Sequence, residues 1–316
     1  MNRLSLFIIG MPRSGTKLFR ELLNNHDKIF IPDNETVFIT KYLKKYGHKS
    51  LSAAEIGKII DEIKKTLFAQ RYLNTRNFNF DNLQAEDINI TNFIHLFFHE
   101  MCNQIHGDAR IIGDKSPNYI YDVKLLMSYF PNVKFIHIVR DPRDYVLSMN
   151  KAWGKNIYRA AYRWKKAVSQ LNKTDYSEKD KVFEIRYEDL IQHPETTLMK
   201  VCNFLEIEYA EGLIKLDKGV ENLGDAKSAS IKTNNAKKYL DELSNREIRR
   251  IEKLTHPVLS YYYEGMFEID KEINPPKFLL TYWKMLDGLN LLKFNFKTHG
   301  ISKGLEKILK ARKAKF

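Results

Sequence analysis

With 316 residues and 43% apolar side chains, the chain can bury one substantial core, which excludes a disordered class and requires no second core. Its two cysteines, Cys102 and Cys202, exclude a disulfide scaffold, and its first apolar run, residues 4–9, falls far short of the roughly 18 residues of a membrane-crossing helix. The net charge of +13 invites a nucleic-acid reading, but ten Lys/Arg against two Asp/Glu fall in residues 277–316, so most of the excess belongs to the tail.

Residues 4–9 predict a strand, followed by Gly10-Met11-Pro12-Arg13-Ser14-Gly15-Thr16-Lys17 and a helix-like segment at 18–23. A strand, a glycine turn and a helix start make an anion cradle, because successive backbone N–H groups and the positive end of the helix dipole converge on phosphate or sulfate oxygens. A nucleoside-triphosphate loop needs Gly, four residues, then Gly-Lys-Ser/Thr, with the lysine on the terminal phosphates and the hydroxyl on Mg²⁺. Here Thr16 stands in the lysine's place, Lys17 stands in the hydroxyl's, and Arg13 puts a cation in the middle of the loop. Such a loop neutralises a phosphate-like group without a metal. Asn34-Glu35-Thr36-Val37-Phe38 comes next, where Glu35 taken alone suits a helix N-terminus. Residues 47–106 then interrupt the alternation of strands and helices: 53–69 and 91–106 predict helices around a polar, asparagine-rich stretch at 74–92, an insertion suited to capping an acceptor. His95, His99, Cys102 and His106 share one stripe of the second helix. All four cannot reach one ion, and Phe93, Phe97 and Phe98 suit a buried face, so packing rather than metal is expected there.

Ile111-Ile112 leads into Gly113-Asp114-Lys115-Ser116-Pro117-Asn118-Tyr119 and predicts a further strand with Lys115 at its carboxyl end. Phe135 to Val139 predicts a buried parallel strand running into a helix, with Pro142 suited to the first turn. Arg140 then stands at the strand's carboxyl end, the edge where open α/β sheets bind ligands, and Ser148 lies about two turns along the helix. A surface pair of Arg140 with Asp141 capping the helix is the other reading, and His137 in mid-strand is expected to pack. Residues 181–185 predict a strand, followed by Arg186-Tyr187-Glu188-Asp189-Leu190 and a helix beginning near Pro194; a polar loop at 224–235 leads into Ala236-Lys237-Lys238-Tyr239. The alternation predicts an α/β fold, a central parallel sheet flanked by helices, with residues 1–270 as one domain that includes the 47–106 insertion. Residues 271–316 form a basic helical extension, in which Leu305, Ile308 and Leu309 line one stripe of 301–314 opposite lysines. That pattern suits either contact with anionic lipid or docking on the domain.

Pro-Arg-Ser-Gly-Thr after a first strand resembles the 5'-phosphosulfate loop of sulfotransferases that use 3'-phosphoadenosine 5'-phosphosulfate, a P-loop-like fold. Arg140 with Ser148 eight positions on resembles that family's 3'-phosphate site, and Lys115-Ser116-Pro117-Asn118-Tyr119 is similar to the Lys-Ser/Thr-Pro-x-Tyr element of its heparan-type and bacterial branches. Glu35 matches the general base of the tyrosylprotein and heparan branches; Pro117 stands where other branches carry a histidine. Tyr187 resembles the family's residue beside the adenine, and Lys238 its closing Lys-Trp element, with Tyr239 in place of tryptophan. The resemblance implies cofactor binding by Arg13, Ser14, Gly15, Thr16, Lys17, Arg140, Ser148, Tyr187 and Lys238, and catalysis by Glu35, Lys115 and Arg13. It implies in-line sulfuryl transfer to a hydroxyl of a carbohydrate, lipid-linked or small-molecule acceptor, with adenosine 3',5'-bisphosphate as product and no metal. No nucleic-acid partner is expected, and the expected location is cytoplasmic, with the basic tail as the contact to the inner membrane face. A nucleotide kinase and a noncatalytic nucleotide-binding relative are the rival classes.

Overall fold

The computed structural model describes residues 3–172, 180–216, 219, 230–263 and 271–300, which group into two compact units. The first holds residues 3–139, the end of the helix Ile157–Asn172, and most of 180–231; the second holds 140–169 and the described residues from 232 onward.

The first unit is organised by a five-stranded, all-parallel sheet of order β2-β5-β1-β6-β7, comprising β1 (Leu4–Gly10), β2 (Ile29–Phe30), β5 (Ile111–Lys115), β6 (Lys134–Val139) and β7 (Val182–Arg186). Parallel strands are covered on both faces, so they require nearly unbroken apolar runs rather than alternation. Leu4, Leu6, Phe7, Ile8 and Ile9 of β1 are all buried, and Phe7 stacks on Phe135 of β6 at 5.4 Å between ring centroids. Helices α1 (Thr16–Leu23), α2 (Ile39–Tyr46), α5 (Val123–Tyr129), α8 (Tyr187–Gln192) and α9 (Pro194–Leu205) accompany the sheet. Between α2 and β5 lies the insertion: β3 (Ser50–Leu51), α3 (Ala53–Lys64), β4 (Ile88–Asn89) and α4 (Ile90–Ile105), with β3 and β4 paired antiparallel.

Two local expectations are corrected. The helix expected over 53–69 stops at Lys64, because the Thr66 hydroxyl donates to the Ile63 carbonyl at 2.6 Å and accepts from the Ala69 N–H at 3.1 Å, restarting the chain as a turn at Ala69–Leu73. His137 does more than pack: it lies opposite Glu184 in the register of β6 and β7, and its Nδ1 is 2.8 Å from Glu184 Oε1.

The second unit is helical: α6 (Pro142–Trp153), α7 (Ile157–Asn172), α10 (Tyr239–Glu242), α11 (Asn245–Thr255), α12 (Val258–Tyr262) and α13 (Lys277–His299). Asp141 caps α6 by accepting from the Arg143 N–H at 2.8 Å. The reading of Asp141 as a partner of Arg140 on the surface gives way to a buried pair with Arg143, whose Nη2 donates to Asp141 Oδ2 at 2.7 Å and Nη1 to Glu252 Oε1 on α11 at 2.8 Å. The guanidinium also covers the Tyr239 ring at 4.3 Å. Helix α13 is docked through one face: Trp283 is buried beside Tyr158, Asp287 pairs with Arg159, and Asn290 Nδ2 donates to the Gly154 carbonyl at 2.7 Å. The 301–314 stripe lies outside the described residues, as do residues 224–229 of the 224–235 loop. Among the described residues no helix is long and apolar enough to cross a membrane.

Arg143 is the group on which two buried carboxylates depend. Arg143→Met is expected to destabilise the chain by about 3–5 kcal/mol, because breaking a buried pair strands the remaining charges. Urea unfolding of wild type and variant measures it; a loss under about 1 kcal/mol, the range of exposed pairs, would contradict the assignment.

Candidate active site

In the first unit the chain order of the strands reverses between β1 and β6, and at the carboxyl ends of strands flanking such a switch an α/β sheet leaves a crevice. The loop predicted as an anion cradle emerges there. Its Ser14 N–H donates to the Met11 carbonyl at 3.0 Å, and Arg13 and Gly15 both take positive φ, 75° and 91°. Arg13 therefore occupies a region costly for a residue with a β-carbon. Gly15 is required twice over: its φ favours glycine, and a β-carbon there would overlap the ring of buried Tyr187 at the start of α8. Tyr187 is thus placed against the loop itself. Thr16 and Lys17 open α1, whose start has no side-chain cap and no acidic residue in its first turn. The Ser14 hydroxyl is buried and has no hydrogen-bond partner among the described residues. An uncapped helix start, a buried hydroxyl lacking a partner and a glycine pressed to an aromatic ring together fit an oxyanion.

Lys115 reaches the same edge, since β5 places it opposite Ile8 of β1. Its side chain is buried, and its Nζ donates to Oε1 of half-buried Glu35 at 2.8 Å. Burial pulls the Lys115 ammonium below its ordinary range, and the Glu35 charge works the other way. Glu35 is not a helix-start carboxylate: α2 begins four residues later, with no acid in its first turn.

Behind this pair lies a polar network that motif reading missed. Thr36 Oγ1 donates to Asp114 Oδ2 at 2.8 Å, and Ser116 Oγ donates to the same oxygen at 3.0 Å. With the Thr36 proton committed to Asp114, the Tyr119 hydroxyl, 3.0 Å away, donates to Thr36 and accepts from the Ile39 N–H at 3.2 Å. Asp114 is fully buried and its Oδ1 has no partner among the described residues; burial pushes its carboxyl up to about 6, against the hydrogen bonds from Thr36 and Ser116. These residues lie inside the quoted motifs, which is the one signal that pointed to them.

The remaining expected residues belong to the second unit. Arg140, next after β6, is buried; its Nη2 donates to the Asn235 carbonyl at 3.2 Å, and its own carbonyl accepts from Trp164 Nε1 at 3.1 Å. Ser148 is half-buried on α6, and Lys238 is half-buried just before α10. Asp144, also missed, accepts from the Lys237 N–H at 2.5 Å and the Tyr239 N–H at 3.0 Å, tying the approach to α10 onto α6. Burial raises its carboxyl, opposed by the Arg140 charge.

The histidine stripe of α4 is engaged elsewhere. Burial lowers His95 to about 4, His99 Nε2 is 3.1 Å from the Asn103 amide, and His106 Nε2 is 3.2 Å from the Asp27 carbonyl. Among the described residues no three His, Cys, Asp or Glu are grouped to hold a metal ion, and Cys102 and Cys202 are buried free thiols.

Comparison with known proteins adds three findings. The model of the sulfotransferase family matches residues 5–211. Protein-tyrosine sulfotransferase 1 of Danio rerio is 26% identical over 217 residues, covering 66% of this chain and 55% of its own length, and an uncharacterized protein of Aquifex aeolicus is 25% identical over 295 residues, covering 88% and 35%. The chain thus spans about half the length of the first of these relatives and about a third of the second. The sulfotransferase domain of the Synechococcus PCC 7002 olefin synthase superposes with a TM-score of 0.53 at 21% identity, covering 79% of this chain and 94% of that one, and so shares the fold.

Asp114 makes stability depend on pH. From the ordinary carboxylate range to about pH 6 the folded chain keeps a proton on Asp114 that the unfolded chain has released, so stability falls as pH rises through that window, by up to about 1.4 kcal/mol per unit, and levels off above it. Asp114→Asn is expected to remove this fall. Urea unfolding of both proteins at about pH 4.5 and about pH 6.5 checks it, and identical slopes would refute it.

Proposed function

The chain belongs to the sulfotransferase family, and from that premise we propose that it transfers a sulfuryl group from 3'-phosphoadenosine 5'-phosphosulfate to an acceptor hydroxyl. The observation that carries this reading is the 2.8 Å contact of Lys115 Nζ with Glu35 Oε1, at the edge of the sheet where the anion loop begins. The buried ammonium offsets negative charge that develops on the transferring group and the leaving phosphate, beside the carboxylate that takes the proton.

When bound, the donor supplies the sulfuryl group and departs as adenosine 3',5'-bisphosphate. Backbone N–H groups of residues 14–17, with the Ser14 and Thr16 hydroxyls, hold the 5' end; Arg13, Lys17 and Lys115 offset negative charge there. Arg140 and Ser148 hold the 3'-phosphate, by the motif they share with the family. Tyr187 braces Gly15 and borders the base, and Lys238 stands on the closing segment. Glu35 takes the acceptor's proton, while Thr36, bonded to Asp114 and Tyr119, fixes the backbone from which Glu35 projects. No metal is invoked in this scheme. The acceptor is a hydroxyl of a small molecule or glycan; since a relative acts, by its name, on protein tyrosine, a phenol is the second acceptor class to assay.

Thermal shift with adenosine 3',5'-bisphosphate, ATP and AMP, with and without chelator, tests the donor class. The bisphosphate at 100 times its Kd is expected to stabilise by about 2.7 kcal/mol, unaffected by chelator, with little shift for AMP. A larger, Mg²⁺-dependent shift with ATP would replace this reading by a nucleotide kinase. Glu35→Gln is expected to bind the bisphosphate normally and lose about 10²- to 10⁴-fold in turnover, whereas Arg140→Ala weakens binding about 10- to 100-fold. Normal turnover by Glu35→Gln would remove that residue from the mechanism, and binding without turnover in wild type across acceptors would favour a noncatalytic relative.

A further inference from the structure

Helix α13 is apolar on two faces, and the second unit covers only one. Its docked face carries Trp283, Asp287 and Asn290. On the opposite side Phe278, Tyr282, Met285 and Leu289 are exposed, Phe278 by 74% and Met285 by 58%, at the spacing i, i+4, i+7 and i+11 that lines up on a helix. Half-exposed Leu292 and Phe296 continue the line, giving a stripe about 27 Å long at 1.5 Å per residue. Isolated exposed apolar residues are ordinary, but a contiguous stripe of this length marks a contact surface.

The charges around the stripe say what it contacts. At about 100° per residue, exposed Lys277 and Lys284 fall on one flank and exposed Lys293 and Lys297 on the other. The helix has one acid, Asp287, and it is spent on the docked face with Arg159 and the Asn156 N–H. The outer face is therefore apolar along its middle and cationic along both edges. A two-fold contact with a second copy would bring the same lysines together. A bilayer interface rich in anionic headgroups instead takes the apolar side chains between its acyl chains and lets the lysines extend to phosphate on either side. We propose that the outer face of α13 seats this protein on an anionic lipid surface, the helix lying in the interface while its inner face stays docked. This places the contact on residues 278–296 rather than on the 301–314 stripe, and it does not depend on the proposed reaction.

Co-sedimentation of the full chain with phosphatidylcholine vesicles, and with vesicles containing about 30% phosphatidylglycerol, tests it. The wild type is expected to bind the anionic vesicles in a salt-sensitive manner and to leave the neutral ones. Met285→Glu/Leu289→Glu, at two exposed positions, is expected to weaken that binding at least about 10-fold with an unchanged melting temperature, and Lys284→Gln/Lys293→Gln to weaken it on the anionic vesicles. Full binding by the Glu variant would overturn the proposal, as would absence of wild-type binding at low salt. A dimer in light scattering that the Glu variant abolishes, without vesicle binding, would assign the face to a second copy instead.

Discussion

β1 is covered on both faces and paired along both edges, and that enclosure constrains the rest of the first unit. A strand so placed offers no side route for polar chemistry; charge and unsatisfied N–H groups leave it only where pairing ends. The closeness is visible at Gly10, where a β-carbon would stand 2.6 Å from the Ile138 carbonyl of β6. The turn that follows delivers the N–H groups of residues 14–17 to a helix start that no side chain caps, so the burial that forms the sheet also concentrates positive potential at its edge.

The second unit handles buried charge differently. Arg143 joins the carboxylate that caps α6 to one on α11 and covers an aromatic ring, so each of these three charged groups taken from water retains a partner. Asp144 accepts from two backbone N–H groups that a short helix start would otherwise leave open. Within this unit α6 thus acts as the post to which α10 and α11 are tied, through residues on its first turn.

The local features could be read from the chain. β1, β6, the cradle and the start of α6 each follow from neighbours in sequence: an apolar run, a glycine, a proline at the first turn. The interactions that give the site its shape could not. Glu35 meets Lys115 across 80 residues and Thr36 meets Asp114 across 78, and no periodicity encodes which buried donor finds which acceptor. Arg143 meets Glu252 of α11 across 109 residues. The early end of α3 turned on one hydroxyl, Thr66, choosing backbone partners on both sides. Strands β3 and β4, two residues each, are too short to register as alternation. The apolar residues of α13 form two faces, which leaves no single stripe to read along the chain.

Neighbouring residues in an extended chain point opposite ways, and two such couples meet here crosswise: Glu35 with Lys115, Thr36 with Asp114. The pairing of β5 with β1 therefore determines the sign of the charge that Glu35 encounters. Were β5 to slide by a single position, Asp114 or Ser116 would stand where the ammonium stands, and in the first case two acids would confront each other across the gap. A one-residue slip of this strand would thus cancel or invert the local polarity rather than merely loosen packing.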